Sequence, residues 1–220
     1  FNLCEEFFGH TRLEMNIAAL LELLGIPFTG SSALVLGLSQ DKGKTKAILA
    51  HHNIPTPFYR VWHPGKDDLL KGLSFPLIVK PLCEDASLGI DNDAFVRDKK
   101  ALMKQVQKIY QGYGPSVLIE EFIEGRELNV SILGNEDPRV LPISEIDFSS
   151  MPAGLPKICG YSAKWEKESE EFCNTVPRCP VVFSSEIENK IFQVSLQSFY
   201  IMGCCDYARI DIRLSPDGIP

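Results

Sequence analysis

No stretch of the 220 residues approaches the roughly 18 consecutive apolar residues that a membrane-spanning helix needs, so no membrane partner is expected. There is no surplus of positive charge either. Lys and Arg number 22 against 29 Asp and Glu, a net charge of −7 at pH 7. A surface built to read nucleic-acid phosphates wants the opposite balance, so no nucleic-acid partner is expected; a small phosphate ligand needs only a few local cations and stays open. Cys-x-x-Cys is absent among the seven cysteines. Their number is odd, and Cys204 and Cys205 are adjacent and too constrained to bridge each other, so reduced, mostly buried thiols of a cytoplasmic protein are expected. His10, His51, His52 and His63 fall at no ligand spacing with cysteines, which argues against zinc. Internal repeats and low-complexity segments are missing. Phe1-Asn2-Leu3-Cys4 carries neither an initiator Met nor the basic-then-apolar pattern of a leader. Ser215 to Pro220 reads as a turn that leads into no returning strand. Both ends read as cut, and the expectation is a piece of a longer protein. What is present, 45% hydrophobic and 23% charged residues, is the composition of a globular chain with a core.

Leu13, Ile17, Leu20, Leu21 and Leu24 share one helical face, and Gly25 and Pro27 stop that helix. Ser39 or Asp41 opens a second helix through Lys44, Ile48 and Leu49 to about Asn53. Phe58–Trp62 and Leu77–Lys80 read as strands, and Asp98 to about Tyr110 as a helix carrying Leu102, Met103, Val106 and Ile109. Val117–Glu121 is a strand. Glu127–Leu133 alternates, with Leu128, Val130 and Ile132 on one face and Glu127, Asn129 and Ser131 on the other. Val140–Phe148 is expected to be one more strand, and Pro152–Pro180 either a long loop or loosely structured. Ser185-x-x-Glu188 has the spacing of a capping box for a helix to about Met202, closed by Gly203. Tyr207–Leu214 is a final alternating strand. Strands with helices on one side point to an α/β or α+β fold.

Gly43-Lys44-Thr45 looks like the end of a phosphate-binding P-loop, but that motif needs a Gly where Leu38 stands and a strand leading in. Lys80 closes a short apolar strand, where it either snorkels to solvent or reaches into a cleft. Glu84 to Gly89 is rich in small residues, which let backbone N–H groups approach a phosphate but also make ordinary loops. Glu120 and Glu127 flank an apolar connector; they are either solvated strand-end acids or acceptors for an amino group and a ribose diol. Arg209 and Asp211 share a strand face, as a surface ion pair or as an anion-binding Arg beside a metal ligand.

Taken in order, these stretches resemble the ATP-grasp superfamily, and within it the D-alanine:D-alanine ligase-like branch. The resemblance is carried by Leu21–Ser31, Asp41-Lys42, Pro76–Pro81, Val117–Phe122 with Gly125-x-Glu127, Tyr161–Lys164 and Arg209–Asp211. It covers nearly the whole chain. It implies the end of an N-terminal α/β domain over residues 1–38 and an ATP-grasp domain, incomplete at its C-terminus, over 39–220. It also implies ATP and Mg²⁺ (or Mn²⁺) as cofactors. Lys42 and Lys80 would contact the phosphates, with Glu84, Ser87 and Gly89 on the loop that closes over them. Glu120 and the backbone of Glu121, Phe122 and Ile123 would hold the adenine, and Glu127 the ribose. Lys164 would meet the γ-phosphate, Asp211 would bind the metal, and Arg209 would steady a tetrahedral intermediate. Arg209, Lys164 and Ser87 are thus the implied catalytic residues.

The implied activity is an ATP-dependent carboxylate-amine ligase acting through an acyl phosphate on small amino-acid or carboxylate substrates. A homodimer is compatible with it, and the chain alone is expected to be inactive for want of metal ligands beyond Pro220. Two positions depart from the branch. Ala86 stands where a serine is usual, and Trp165 where a tyrosine is usual, which sets D-alanine itself in question. A ligase for other small acids, and a nucleotide-binding module without catalysis, are the alternatives.

Overall fold

The computed structural model describes residues 1–65 and 70–220. Helices α1 (Glu14–Leu23), α2 (Ala33–Gln40) and α3 (Lys42–His51) come first, then strands β1 (Tyr59–Trp62), β2 (Leu77–Pro81) and β3 (Phe95–Val96). Helix α4 (Lys99–Tyr113) and strands β4 (Val117–Glu121), β5 (Arg126–Leu133), β6 (Arg139–Val140) and β7 (Ser144–Asp147) follow. The chain continues through α5 (Tyr161–Trp165), α6 (Glu170–Asn174), β8 (Val176–Arg178), α7 (Ser185–Met202) and β9 (Tyr207–Leu214). Among the described residues no helix is long and apolar enough to cross a membrane. Two compact units form. The first holds residues 1–56, 125–145 and 178–220, the second 57–124 and 146–177.

The second unit is organised by a four-stranded sheet of order β1-β4-β2-β3, antiparallel at each pairing. Period two sends Leu77, Val79, Val117 and Ile119 to one face. There they meet Leu102, Val106 and Ile109 of α4, a contact that removes each of these side chains almost completely from water. Asp98 caps α4 by accepting from the Ala101 N–H at 2.9 Å.

In the first unit β5 is the central strand. It pairs along its whole length with β9, antiparallel, with Asn129 opposite Asp211, Ser131 opposite Arg209 and Glu127 opposite Arg213. The five-stranded sheet that contains them runs in the order β6-β5-β7-β8, with β9 pairing β5 off that path. The apolar face of the β5–β9 pair, Leu128, Val130, Ile212 and Leu214, is covered by Ile191 and neighbouring residues of α7. Its other face is polar. Helices α1 and α2 approach closely at Gly37, where a Cβ would stand 2.7 Å from Met15 Sδ.

Several local expectations are corrected. The apolar run Ala33–Leu38 shows no clean periodicity, yet it forms α2, capped by Ser32; Ser39 therefore sits inside a helix and only Asp41 opens α3. The span Val140–Phe148 is not one strand. It divides into β6 and β7 around Pro142, which has no N–H to give a ladder. Pro152–Pro180 is not one loop, because it contains α5, α6 and β8. The cap of α7 is Ser184, accepting from Ile187 N, so Ser185 and Glu188 form no capping box. All seven cysteines are free, but none is buried, and Cys173, Cys179 and Cys205 are exposed. They belong to neither of the two apolar clusters.

The turn before β9 is tied to the segment before α2. Asp206, at φ +60°, accepts from Gly30 N and from Asn135 Nδ2, each at 2.8 Å. The Asn135 amide and then the Gly30 N–H hold its carboxyl below the usual range. A carboxylate lowered on folding stabilises above its unfolded value of about 4 and loses that contribution as pH falls through the folded value. Thermal melts between about pH 5 and pH 2 are expected to fall less steeply in Asp206→Asn than in the parent. Equal slopes would show that this carboxyl adds nothing to the acid sensitivity of the fold.

Candidate active site

The sheet face turned away from α4 places charge beside charge. Ile78 is directly opposite Glu120, so Lys80, two residues on, falls diagonally across from that carboxylate on the same face. Lys80 Nζ and Glu120 Oε1 are 2.5 Å apart, with the side chains only 19% and 10% exposed. Lys80 is thus not a snorkelling strand-end lysine; its ammonium is held on the sheet by a buried acid. Phe95 is opposite Ile78 on this face and meets Phe122 edge-on, ring centres 4.9 Å apart. At the end of β4, the N–H groups of Glu121 and Phe122 donate to the Phe58 and Pro76 carbonyls at 2.9 and 3.0 Å. The Glu121 carboxylate accepts from Ser74 N, and Ile123 follows, half-buried.

The small-residue loop is fastened to the segment around α5. Ser87 Oγ donates to Cys159 O at 2.8 Å, Trp165 Nε1 donates to Ala86 O at 3.1 Å, and Tyr161 N donates to Ile90 O at 2.7 Å. Ala86 and Ser87 both take left-handed backbone angles, φ +52° and +61°, which is costly for residues with a Cβ. Gly89, at φ +74°, has a packing reason to be glycine, since a Cβ would lie 2.7 Å from Pro81 and 2.9 Å from Tyr113. Glu84 is half-buried at the start of the loop, and Lys164, in the last turn of α5, is exposed. Ala86 and Trp165, the two positions that depart from the branch, are therefore partners of each other.

On the polar face of β5–β9, Arg209 makes a two-pronged contact with Asp211, Nε to Oδ1 at 2.7 Å and Nη2 to Oδ2 at 3.1 Å. Asn129 Nδ2 donates to the same Asp211 Oδ1 at 2.9 Å. Both charged side chains are more than half exposed. Glu127 lies beside Arg213, Oε2 to Nη2 at 3.7 Å. Lys42 is the first residue of α3 and half-buried, while Lys44 pairs with the cap residue Asp41 at 3.1 Å. A helix rather than a strand leads into Gly43-Lys44-Thr45, which disposes of a P-loop. Among the described residues no three His, Cys, Asp or Glu side chains cluster as a metal site built from protein alone would need. The donor chemistry still suits Mg²⁺, which nucleotide sites hold through one or two carboxylates together with phosphate oxygens and water; Asp211 offers a carboxylate more than half exposed on the polar face.

Three contacting groups escape a reading of the sequence alone. Asn129 is legible only as a polar member of an alternating strand, Cys159 contributes its carbonyl rather than its thiol, and Arg213 belongs to no motif. The period-two spacing of Arg209, Asp211 and Arg213 is the available signal that these charges share a face.

Residues 61–219 match the family described as the D-ala D-ala ligase C-terminus. Among curated proteins, an uncharacterized protein of Sinorhizobium fredii, y4sG, is 34% identical over the whole chain, which spans 62% of that protein. The D-alanine–D-alanine ligase of Desulforudis audaxviator is 32% identical over 90% of the chain and 62% of its own length. The chain thus spans less than two thirds of these relatives. Among solved structures, the D-alanine–D-alanine ligase of Bacillus anthracis complexed with ATP superposes with a TM-score of 0.73 at 29% identity. That match covers 93% of this chain and 60% of the other. The D-Ala:D-Ser ligase VanG of Enterococcus faecalis, at 22% identity and a TM-score of 0.74, shares the fold. With its two antiparallel sheets, flanking helices and motifs in matching order, the chain belongs to the D-alanine–D-alanine ligase-like branch of the ATP-grasp family.

Proposed function

We propose that the protein to which this chain belongs is an ATP-dependent carboxylate-amine ligase. A substrate carboxylate oxygen attacks the γ-phosphorus of ATP, ADP leaves, and an acyl phosphate forms. An amine nitrogen then attacks the acyl carbon, inorganic phosphate leaves, and the amine's proton passes to solvent as the amide forms. The protein's part is positioning and charge neutralisation. The ammonium groups of Lys80 and Lys42 lie along the phosphates, and Lys164 meets the γ-phosphate. Glu120 accepts from the adenine amino group. With the Glu121 and Phe122 N–H groups already bonded, Ile123 N–H is the donor to the base edge. Glu127 accepts from the ribose hydroxyls. Arg209 steadies the oxygens of the tetrahedral species. Mg²⁺ (or Mn²⁺), held through Asp211, neutralises phosphate charge when bound. Residues 1–38 are the end of a preceding α/β domain in this reading, and such an enzyme works in the cytoplasm, where ATP is supplied.

The observation that carries the reading is the Arg209–Asp211–Asn129 cluster on an exposed polar face. A module that only holds a nucleotide has no need of it. D-alanine is a poor fit. Indole has one N–H and no acceptor, so Trp165, whose N–H donates to Ala86 O, offers an ammonium nothing, and Ala86 carries no hydroxyl. A substrate ammonium left without such partners loses about 1–3 kcal/mol per missing bond.

The test is phosphate release by the full-length protein with ATP, Mg²⁺ and a panel of small amino acids and hydroxy acids, with hydroxylamine present to trap the acyl phosphate as a hydroxamate. Release should depend on the acid, with D-alanine at least about tenfold below the best one. Arg209→Met should lower turnover by about a hundredfold or more. ATP binding without release for any acid would favour the non-catalytic module. Fast D-alanyl-D-alanine formation would refute the selectivity argument.

A further inference from the structure

Glu127 holds the ribose in the proposed function, and the role assigned to Arg213 rests on that reading. Arg213 stands directly opposite Glu127 across the β5–β9 ladder. Both side chains are about four-fifths buried, at 18% and 21% exposure. One guanidinium nitrogen, Nη1, donates to the carbonyl of Gly125 at 3.3 Å, and the other, Nη2, lies 3.7 Å from Glu127 Oε2. The second contact is too long for a hydrogen bond and acts as an ion pair. The point of attachment is rigid. Gly125 has φ +143°, and its α-carbon is pressed so closely on β9 that a Cβ would fall 2.0 Å from Leu214 O. Arg213 therefore spans from a locked backbone carbonyl to the carboxylate two residues further on. A planar guanidinium makes both contacts in one fixed geometry, which a lysine ammonium does not reproduce.

We propose that Arg213 is a positioning residue for the nucleotide: it holds the Glu127 carboxylate in the orientation that accepts the ribose hydroxyls. It does not touch the reacting atoms. Its role is distinct from that of Arg209, which shares the face but engages Asp211.

The experiment compares binding of Mg·ATP, Mg·2′-deoxyATP and Mg·3′-deoxyATP to the full-length protein by isothermal titration calorimetry. In the parent, removing a hydroxyl held by a carboxylate should weaken binding by about tenfold or more. In Arg213→Gln, ATP should bind more weakly while the deoxynucleotides change little, so the discrimination falls towards one. Arg213→Lys should restore part of it. Glu127→Gln serves as the control. A mere structural ion pair would change all three affinities together and leave their ratios intact. If Glu127→Gln loses the discrimination and Arg213→Gln keeps it, the proposal is overturned and the reading of Glu127 stands. If Glu127→Gln also keeps the parental ratios, Glu127 does not hold the ribose and both fall. Should Arg213→Gln fail to fold, the ratios in Arg213→Lys decide in the same way, with full parental discrimination counting against the proposal.

Discussion

ATP affinity of the full-length protein should fall about a hundredfold in Lys80→Glu and about tenfold in Lys80→Met. The ammonium of Lys80 is fixed beside Glu120 on a sheet face that water hardly reaches. A charge-assisted hydrogen bond to a phosphate contributes about 1.5–3 kcal/mol, and each step of about 1.4 kcal/mol is a factor of ten. Methionine removes that contribution and keeps the packing. Glutamate adds repulsion, both with the nucleotide and with Glu120. Either change also takes away the cation beside the Glu120 carboxylate, and breaking a buried pair on one side costs about 3–5 kcal/mol. Binding must therefore be measured well below the variant's own melting temperature. A folded Lys80→Met protein with parental ATP affinity would remove Lys80 from the phosphate site.

Gly125→Ala should destabilise the first unit by about 4 kcal/mol, the sum of left-handed strain and overpacking. At roughly 2–4 °C per kcal/mol for a chain of this size, the melting temperature should drop by about 8–16 °C. The cause is specific. The added Cβ would meet the Leu214 carbonyl at 2.0 Å, and backbone on a central strand pair cannot swing aside as a flexible side chain can. A drop of only a degree or two would mean that the β5–β9 ladder tolerates a shift at its end. Gly154, with nothing within 4 Å of its own Cβ position, is the comparison: its φ of +102° gives the strain without the clash, so Gly154→Ala should cost the smaller part.

The elements most legible in the sequence were those whose signal is local. Alternation along Glu127–Leu133 and Tyr207–Leu214 forecast β5 and β9 with the correct faces, because a strand's period of two needs no partner to be read. The helix from Asp98 is announced by Leu102, Val106 and Ile109 at helical spacing, and all three are buried, together with Gln105; Met103, read with them, is exposed. The errors came where local signals conflict or go silent. Ala33–Leu38 is apolar on every side and gives no period. Ser184 and Ser185 are both good caps, and which one serves is decided by where the chain enters the helix, at ψ 149° for Ser184. Cysteine's general preference for the interior does not say where seven particular cysteines fall, and none of them is buried.

Which residues bear charge near one another was partly local and partly not. Period two alone puts Arg209, Asp211 and Arg213 on one face, and the family resemblance singles out most of the residues proposed for the site. The pairings belong to the fold. Lys80 meets Glu120 because the β2–β4 register sets Ile78 opposite that acid; a slip of one residue would turn the carboxylate to the α4 side. Asn129 reaches Asp211, and Arg213 reaches Glu127, through the register of β5 on β9. Ser87 finds the Cys159 carbonyl, and Ala86 finds Trp165, across more than seventy residues of chain. Side-chain periodicity is a property of a single backbone and survives in the sequence, whereas register and loop-to-loop contact are set by the burial of a whole sheet face, which only the assembled chain can accomplish.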